Sequence, residues 1–517
     1  MPRHDHGSLV PTREQLRRLA ERMGWELDEA QLTMFEGVAG DVGASYARLW
    51  QLPVPAIPVR PREVGAPPVP AANPWHGWSW RCRVPGESSG PLAGMTVAVK
   101  DVIDVAGVPT FMGSLLVDGV VPQADAECVR RLLDAGAEVV GKTTTEDLCI
   151  GGASCTSIPW PVVNPIAPTR SAGGSSSGSA VVLASGEVDL ALGVDQGGSI
   201  RIPAALCGVV GLKPTHGLIP FTGIPTLVPS LDHVGPMART VTGVARALDV
   251  LAGPDGIDRR QRTWGESSWG QMQAEQACQL GVAGLRIGLL QEGFNSTAQG
   301  DGDHPGSAAA AELVARMARR LAECGATVVE VSIPWHADAR HVYTPILLEA
   351  SAAMIWRLYG RDMTVLGEEV PGPTRQIADA LAVSPELASD PLTLVGLFGE
   401  WYLQAFRGRS FSRASRLVRE LSAAYDRALA EVDVLICPTT APAGIADVIT
   451  GDPDRVLAES LAYFHNTCAT NMTGHPSVSV PAGTLDGIPV GMMITAALGQ
   501  DATALRAAAS VEALVSQ

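Results

Sequence analysis

The chain has 517 residues, of which 46% are hydrophobic and 18% charged, a composition typical of a large globular enzyme with two or three domains. Its formal net charge of −16 argues against a nucleic-acid surface, which needs clustered Lys and Arg. No apolar run is long enough to span a bilayer, and the N-terminus lacks the apolar core of a signal peptide. We therefore expect a cytoplasmic protein with no nucleic-acid or membrane partner. Its nine scattered cysteines should be reduced and mostly buried.

The first 80 residues predict a helical arm followed by a proline-rich linker. Thr12 with Gln15, and Asp28 with Gln31, form capping-box patterns ahead of apolar positions at helical spacing. Two short helices cannot bury such positions alone, so we expect them to make a homodimer contact, with packing on the same chain as the alternative. Eight prolines between residues 52 and 74 keep the next segment extended.

From Gly94 onward, strand patterns alternate with helical patterns. Residues 96–99 predict a strand that ends on Lys100, Asp125 is placed to cap the following helix, and residues 138–140 predict the next strand. This order predicts an α/β fold with a large, mixed and mostly parallel twisted sheet covered by helices. Further predicted strands lie at residues 188–194, 285–290, 327–333, 434–436, 478–480 and 490–494, with a helix at 308–324.

The strand patterns fade between residues 335 and 430, where the apolar spacing is helical. We therefore divide the chain into three parts: the arm and linker at 1–80, a core at 81–335 and 430–517, and an inserted helical subdomain at 336–429. The insert is placed to form one wall over the active site.

Three polar groups stand at the ends of strand-like segments: Lys100, the loop Gly173-Gly174-Ser175-Ser176-Ser177-Gly178, and Ser199 after a Gly-Gly turn. Groups at the carboxyl ends of strands tend to converge on one crevice. The glycine-rich loop lacks the Gly-Lys-Ser/Thr ending of a nucleotide loop, and no metal-ligand pattern is present. A serine hydrolase with a neutral lysine as its base explains all three groups.

At these residues the chain resembles the amidase signature family. The resemblance covers VKD around Lys100, AGGSSSGSA around Ser175 and GVDQGGSIRIPAALCG around Ser199, and it continues through GLKPTHGLIPFTG and TGHPSVSVPAG. Gln196, the helical arm and the linker make it most similar to the nitrile-hydratase-associated amidases of actinobacteria. Those are homodimers that convert carboxamides to acids.

The resemblance implies a role for each matching residue. Ser199 would be the nucleophile, and Ser175, after a cis peptide bond from Gly174, would bridge it to the neutral base Lys100. The implied oxyanion hole consists of the backbone N–H groups of Gln196, Gly197, Gly198 and Ser199. Asp195, Gly174 and Ser176 would support the site, while Lys213 in GLKPT would be structural. No cofactor and no metal are implied.

The segment after Glu146-Asp147 differs from its relatives, which often carry a bulky residue there. Cys149, Ile150 and Gly151 would instead leave room for a wide acyl group in the substrate pocket. The leading hypothesis is an amide hydrolase that forms an acyl-enzyme. The alternatives are a carbamate, anilide or ester hydrolase with the same triad, an amidotransferase subunit that passes ammonia, and a non-catalytic binding protein on an amidase scaffold.

Overall fold

The computed structural model describes residues 9–53, 59–263, 273–294, 307–357, 373–440 and 463–516. The chain divides into two compact units, Met1–Pro58 and Val59–Gln517. Residues 59–80, which the sequence assigned to the arm and linker, belong to the second unit. None of the helices in the described ranges is long and apolar enough to cross a membrane.

The first unit contains two helices, α1 (Arg13–Arg22) and α2 (Glu29–Leu49). Both predicted capping boxes are present, because Thr12 and Asp28 each accept a hydrogen bond from the third residue of the helix that follows. Arg13 on α1 forms ion pairs with Glu29 and Glu36 on α2. Apolar side chains on α2 are more than half exposed, namely Met34, Val38, Val42, Tyr46 and Leu49.

The second unit is built on one sheet, in which twelve described strands follow the order β1-β2-β4-β3-β5-β7-β6-β11-β12-β10-β8-β9. The strands are β1 Glu63–Ala66, β2 Trp78–Val84, β3 Thr96–Lys100, β4 Glu138–Thr143, β5 Leu190–Asp195, β6 Val210–Lys213, β7 His233–Ala238, β8 Arg286–Leu290, β9 Thr327–Val331, β10 Val434–Pro438, β11 Ser477–Leu485 and β12 Ile488–Ala496.

The sheet is mixed, as expected, but the prediction that it is mostly parallel was wrong. Among the described pairings, β3 is parallel to β4 and β5, and β8 is parallel to β9 and β10. The other seven pairings are antiparallel. The strand–helix–strand pattern in the sequence accounts only for strands that pair in parallel, such as β3 with β4 and β8 with β9. The short turn at Asp486-Gly487 joins the antiparallel partners β11 and β12.

Helices cover the sheet and fill the predicted insert. Those of the second unit are α3 Glu127–Asp134, α4 Ser177–Ala184, α5 Arg201–Cys207, α6 Val241–Leu251, α7 Ala274–Ala277, α8 Gln291–Phe294, α9 Ser307–Glu323, α10 Pro334–Ala337, α11 Ala339–Ala352, α12 Pro373–Val383, α13 Asp390–Phe406, α14 Arg409–Glu431, α15 Cys468–Thr473 and α16 Asp501–Val515.

The predicted cap of α3 was wrong. Ala126 occupies the N-cap position of that helix and makes no side-chain cap. Asp125 instead accepts hydrogen bonds from Arg62, and its Oδ1 also accepts one from the N–H of Ala106. Asp125 therefore forms an ion pair in place of a helix cap, because the guanidinium of Arg62 competes for its carboxylate.

All nine cysteines lie in the described ranges and are free, and five of them are buried. The prediction of reduced, mostly buried thiols is therefore confirmed.

Candidate active site

Lys100 ends the buried strand β3, and its side chain has no exposed surface. Its Nζ lies 2.8 Å from the Oγ of Ser175 and 3.3 Å from the carbonyl oxygen of Val194. Burial lowers the pKa of the Lys100 amine, since a charge is costly where water is excluded. The amine therefore lies within hydrogen-bond distance of the Ser175 hydroxyl and has a lowered pKa.

Ser175 lies in the glycine- and serine-rich loop just ahead of α4. The peptide bond between Gly174 and Ser175 is cis, as the resemblance implied. The carbonyl oxygen of Ser175 accepts hydrogen bonds from Thr145 Oγ1, 2.9 Å away, and from the N–H of Glu146, 3.4 Å away. The neighbouring Ser176 Oγ donates to Val194 O over 3.2 Å. These contacts fix the loop against the ends of β4 and β5.

Ser199 follows the turn between β5 and α5 and is 3% exposed. Gly198 needs its lack of a side chain, because its φ is 147° and a Cβ there would collide with Thr467. The carbonyl of Gly197 accepts from Thr467 Oγ1, and the carbonyl of Gly198 accepts from the N–H of Ile202. Since C=O and N–H point in opposite directions across a trans peptide, the N–H groups of Gly198 and Ser199 point away from those partners.

A cavity of about 340 Å³ opens beside this turn. Gln196, Gly197 and Ser199 line it. The predicted pocket residues Cys149, Ile150 and Gly151 line it as well. Helices α11 and α13 of the predicted insert supply further lining residues, namely Arg340, His341, Tyr343, Thr344, Leu347, Leu348, Pro391, Leu394 and Val395. The cavity therefore brings together Ser199, the glycine-containing turn and a mixture of polar and apolar side chains from the insert.

Several residues of the site carried no sequence signal. Tyr343 packs its hydroxyl against the position where a Gly197 Cβ would lie, and its ring stacks on Phe464 at 6.2 Å between centroids. Thr467 and Asn471, from the start of α15, hold the turn through hydrogen bonds. These residues lie far along the chain from Ser199 and belong to no motif. Within the described ranges, no group of three or more His, Cys, Asp or Glu side chains is arranged to hold a metal ion.

Comparison with known proteins shows the family of this chain. The amidase family matches residues 79–505. An enantioselective amidase from Rhodococcus rhodochrous is 42% identical over 449 residues, which cover 86% of this chain and 84% of the relative. A glutamyl-tRNA(Gln) amidotransferase subunit from Methanosarcina acetivorans is 37% identical, with 82% of this chain and 85% of the relative covered.

A solved structure shows the same fold. The native peptide amidase of Stenotrophomonas maltophilia superimposes with a TM-score of 0.67 at 31% identity, covering 83% of this chain and 84% of that one. The family match alone spans most of the chain. The chain therefore belongs to the amidase signature family and is an amide-hydrolysing enzyme.

Proposed function

We propose that the protein hydrolyses carboxamides to a carboxylic acid and ammonia or an amine, through a covalent acyl-enzyme on Ser199. Lys100, Ser175 and Ser199 form the catalytic triad of this reaction. The observation that carries the proposal is the buried contact of 2.8 Å between Lys100 Nζ and Ser175 Oγ, with burial lowering the pKa of the amine. A neutral amine that is hydrogen-bonded to a hydroxyl can act as the general base in serine hydrolysis.

In the first half of the reaction, Ser199 Oγ bonds to the carbonyl carbon of the amide. Its proton passes to Ser175 while the proton of Ser175 passes to Lys100, which becomes an ammonium. The π electrons of the carbonyl move to its oxygen, where the N–H groups of Gln196, Gly197, Gly198 and Ser199 stabilise the negative charge. A single such donor is worth about 3 kcal/mol in the transition state.

The intermediate collapses when the oxyanion re-forms the carbonyl and the C–N bond breaks. Lys100 returns its proton through Ser175 to the leaving nitrogen, and the acyl group remains on Ser199. Water then attacks the ester with the same relay as base. The acid leaves, and Ser199 regains its proton. No cofactor takes part in either half.

Two substitutions test this mechanism directly. Ser199→Ala and Lys100→Ala should each reduce amide turnover by at least about 10³-fold, because members of a catalytic unit fail together. Labelling with a serine-reactive fluorophosphonate should be lost in Ser199→Ala. Labelling of the native chain also separates an enzyme from a binding protein on an amidase scaffold. Near-normal turnover in either variant would remove the proposal.

The bond that is cleaved distinguishes the remaining hydrolase alternatives. Amides, anilides, esters and carbamates pass through the same tetrahedral intermediate, so the triad accepts all four chemically. A panel that pairs one acyl group with each of the four leaving groups isolates the preference. We expect the highest kcat/KM relative to the uncatalysed rate for the primary carboxamide.

An ammonia-transferring protein is the second candidate, and the 37% identity to the glutamyl-tRNA(Gln) amidotransferase relative favours it. The formal charge of −16 argues against a surface for tRNA. Turnover of simple carboxamides by the purified chain alone supports the hydrolase. Ammonia release that requires both a charged tRNA and a second protein would support the transferase.

We also propose that the N-terminal arm makes a homodimer. Its support is the row of exposed apolar side chains on α2, which includes Met34, Val38 and Val42. Light scattering on the full chain should give twice the chain mass. The triple variant Met34→Ser, Val38→Thr and Val42→Thr should give the mass of one chain.

A further inference from the structure

Glu146 lies behind the loop that carries Ser175. Its side chain has no exposed surface. A Cβ on Gly174 would collide with its Oε2, and a Cβ on Gly151 would lie 2.7 Å from its Oε1, so the carboxyl group packs against backbone on two sides. The N–H of Glu146 also donates to Ser175 O. The carboxyl group is therefore in contact with the residue next to the proton relay.

The two oxygens of this carboxyl group have unequal surroundings. Oε1 accepts hydrogen bonds from Thr156 Oγ1, 3.4 Å away, and from the thiol of Cys155, 4.0 Å away, while no described side chain donates to the buried Oε2. An unpartnered buried oxygen destabilises the ionised form. Burial raises the pKa of Glu146 to about 7. Glu146 therefore gains or loses its charge close to neutral pH. A buried carboxyl group that is paired with a cation stays ionised at that pH.

We propose that Glu146 is a positioning residue that sets the pH at which Lys100 becomes a neutral base, an inference that rests on the function proposed above. Ionised Glu146 places a negative charge near Lys100, and this charge favours the ammonium form of the lysine. Lys100 then releases its proton only at higher pH. The two groups titrate as a coupled pair whose apparent pKa values belong to both.

Other groups that face the pair have different behaviour. Asp195 faces Lys100, but Arg201 keeps its pKa at about 2 against the effect of burial, so its charge is constant at neutral pH. Cys155 faces Glu146, and burial raises the pKa of that thiol to about 12. The thiol of Cys149 also faces Lys100, so it needs its own control.

The test is the pH dependence of fluorophosphonate inactivation, which reports the readiness of Ser199 without a known substrate. Glu146→Gln keeps the shape of the side chain and removes its charge. Above pH about 7, where Glu146 is ionised in the wild type, Glu146→Gln should be inactivated faster than wild type, by about tenfold for each unit by which the Glu146 charge raises the pKa of Lys100. Below that pH the two rates should converge, because Glu146 is then uncharged. A merely structural role would change the rate equally at every pH. An acid limb at the wild-type position would overturn the proposal.

A second variant changes the surroundings of the Glu146 carboxyl group and leaves Glu146 itself in place. Thr156→Val removes one of the donors to Oε1 and so disfavours the ionised carboxylate. Its acid limb should move in the same direction as that of Glu146→Gln, by a smaller amount. This variant keeps the proposal testable if Glu146→Gln does not fold. An unmoved limb in Thr156→Val together with an unmoved limb in Glu146→Gln overturns the proposal.

Two control variants separate Glu146 from its neighbours. Asp147→Asn changes an adjacent buried carboxyl group that accepts a hydrogen bond from the N–H of Ser389 at 2.9 Å, and its limb should keep the wild-type position. Cys149→Ala measures the separate effect of the thiol that faces Lys100. A shift in Asp147→Asn equal to that in Glu146→Gln would overturn the proposal, and so would a limb that moves in Cys149→Ala and stays in place in Glu146→Gln.

The outcome for Ser199→Ala keeps the two proposals distinguishable. If the probe still labels Ser199→Ala at the native rate, the proposed function fails. If labelling needs Ser199 but the limb stays in place in Glu146→Gln, the proposed function stands and only the role of Glu146 fails.

Discussion

The guanidinium of Arg201 holds both carboxylate oxygens of Asp195, with Nη2 3.0 Å from Oδ1 and Nε 3.0 Å from Oδ2. Neither side chain has any exposed surface. Asn471 Nδ2 donates to Oδ1 over 2.9 Å, and the N–H of Ile200 donates to Oδ2 over 3.0 Å. The pair thus joins the end of β5 to the start of α5 across the turn that carries Ser199.

Asp195→Asn should therefore destabilise the fold and slow turnover. Burial opposes the charge on Asp195, yet Arg201 and its other donors hold the pKa at about 2. Without the carboxylate, Arg201 is a buried cation with no counter-ion, and such a loss lowers the free energy of unfolding by about 3–5 kcal/mol. Chemical denaturation at pH 7 measures this difference. Equal midpoints and slopes for variant and wild type would contradict it.

The pH dependence of that difference has a definite sign. A carboxyl group with a lowered pKa contributes stability above the pKa of about 4 it has when unfolded, and this contribution is lost as the pH falls towards about 2. The gap between the two proteins should therefore narrow in acid. Glu400→Gln is the matched control, because its ion pair with Arg357 is exposed and is worth at most about 1 kcal/mol.

The sequence was sufficient to predict the elements that carry the motifs. The strand that ends on Lys100, the loop at Ser175 and the Gly-Gly turn before Ser199 all come from patterns within one segment of chain. Asp195, to which the resemblance gives a supporting role, accepts a hydrogen bond from the N–H of Ile200. Local pattern is a good guide here because glycine and buried strands constrain the backbone strongly.

The rest of the site depends on contacts between distant segments. Arg201 donates a hydrogen bond to Asn471, and Gly197 packs against Tyr343. The members of each pair are far apart in the sequence, so no local periodicity predicts these contacts. The predominance of antiparallel pairing in the sheet was missed for the same reason. Antiparallel neighbours such as β5 and β7 are separated by α5 and β6 in sequence, so only the folded chain reveals their pairing.

Gly197→Ala should reduce kcat at least tenfold, because its Cβ would overlap the Tyr343 hydroxyl and displace the turn. Adding Tyr343→Phe removes that oxygen and should restore part of the loss, so the two substitutions should be non-additive. Steady-state kinetics of both single variants and the double variant give the coupling energy. Strict additivity would show that the two groups do not meet.

Gly40→Ala is a suitable control for that cycle. Gly40 lies inside α2 with no atom near the position of its Cβ. Alanine there should stabilise the helix by about 0.5–1 kcal/mol and leave kcat unchanged.

Leu394→Trp should narrow the cavity and change selectivity by acyl size. Leu394 belongs to the wall that α13 contributes to the 340 Å³ cavity, away from Lys100 and Ser175. A larger side chain should reduce kcat/KM for a wide aromatic amide at least tenfold more than for a small aliphatic amide. Competition between the two amides in one reaction measures the ratio. An unchanged ratio would place the acyl group elsewhere, and Leu397→Trp at an exposed position on the same helix is the control.

Lys100→Met should abolish turnover and yet stabilise the fold at neutral pH. Burial lowers the pKa of Lys100, so the folded chain releases this proton at a lower pH than the unfolded chain, which binds it up to a pKa of about 10.4. Between these two pKa values the unfolded state binds more protons, and the stability of the wild type rises with pH by up to about 1.4 kcal/mol per unit. Methionine has no such dependence, so its advantage should be largest near neutral pH and shrink as the pH approaches 10. Denaturation midpoints of both proteins across that range measure the difference, and a constant difference would mean that Lys100 keeps its proton in the folded enzyme.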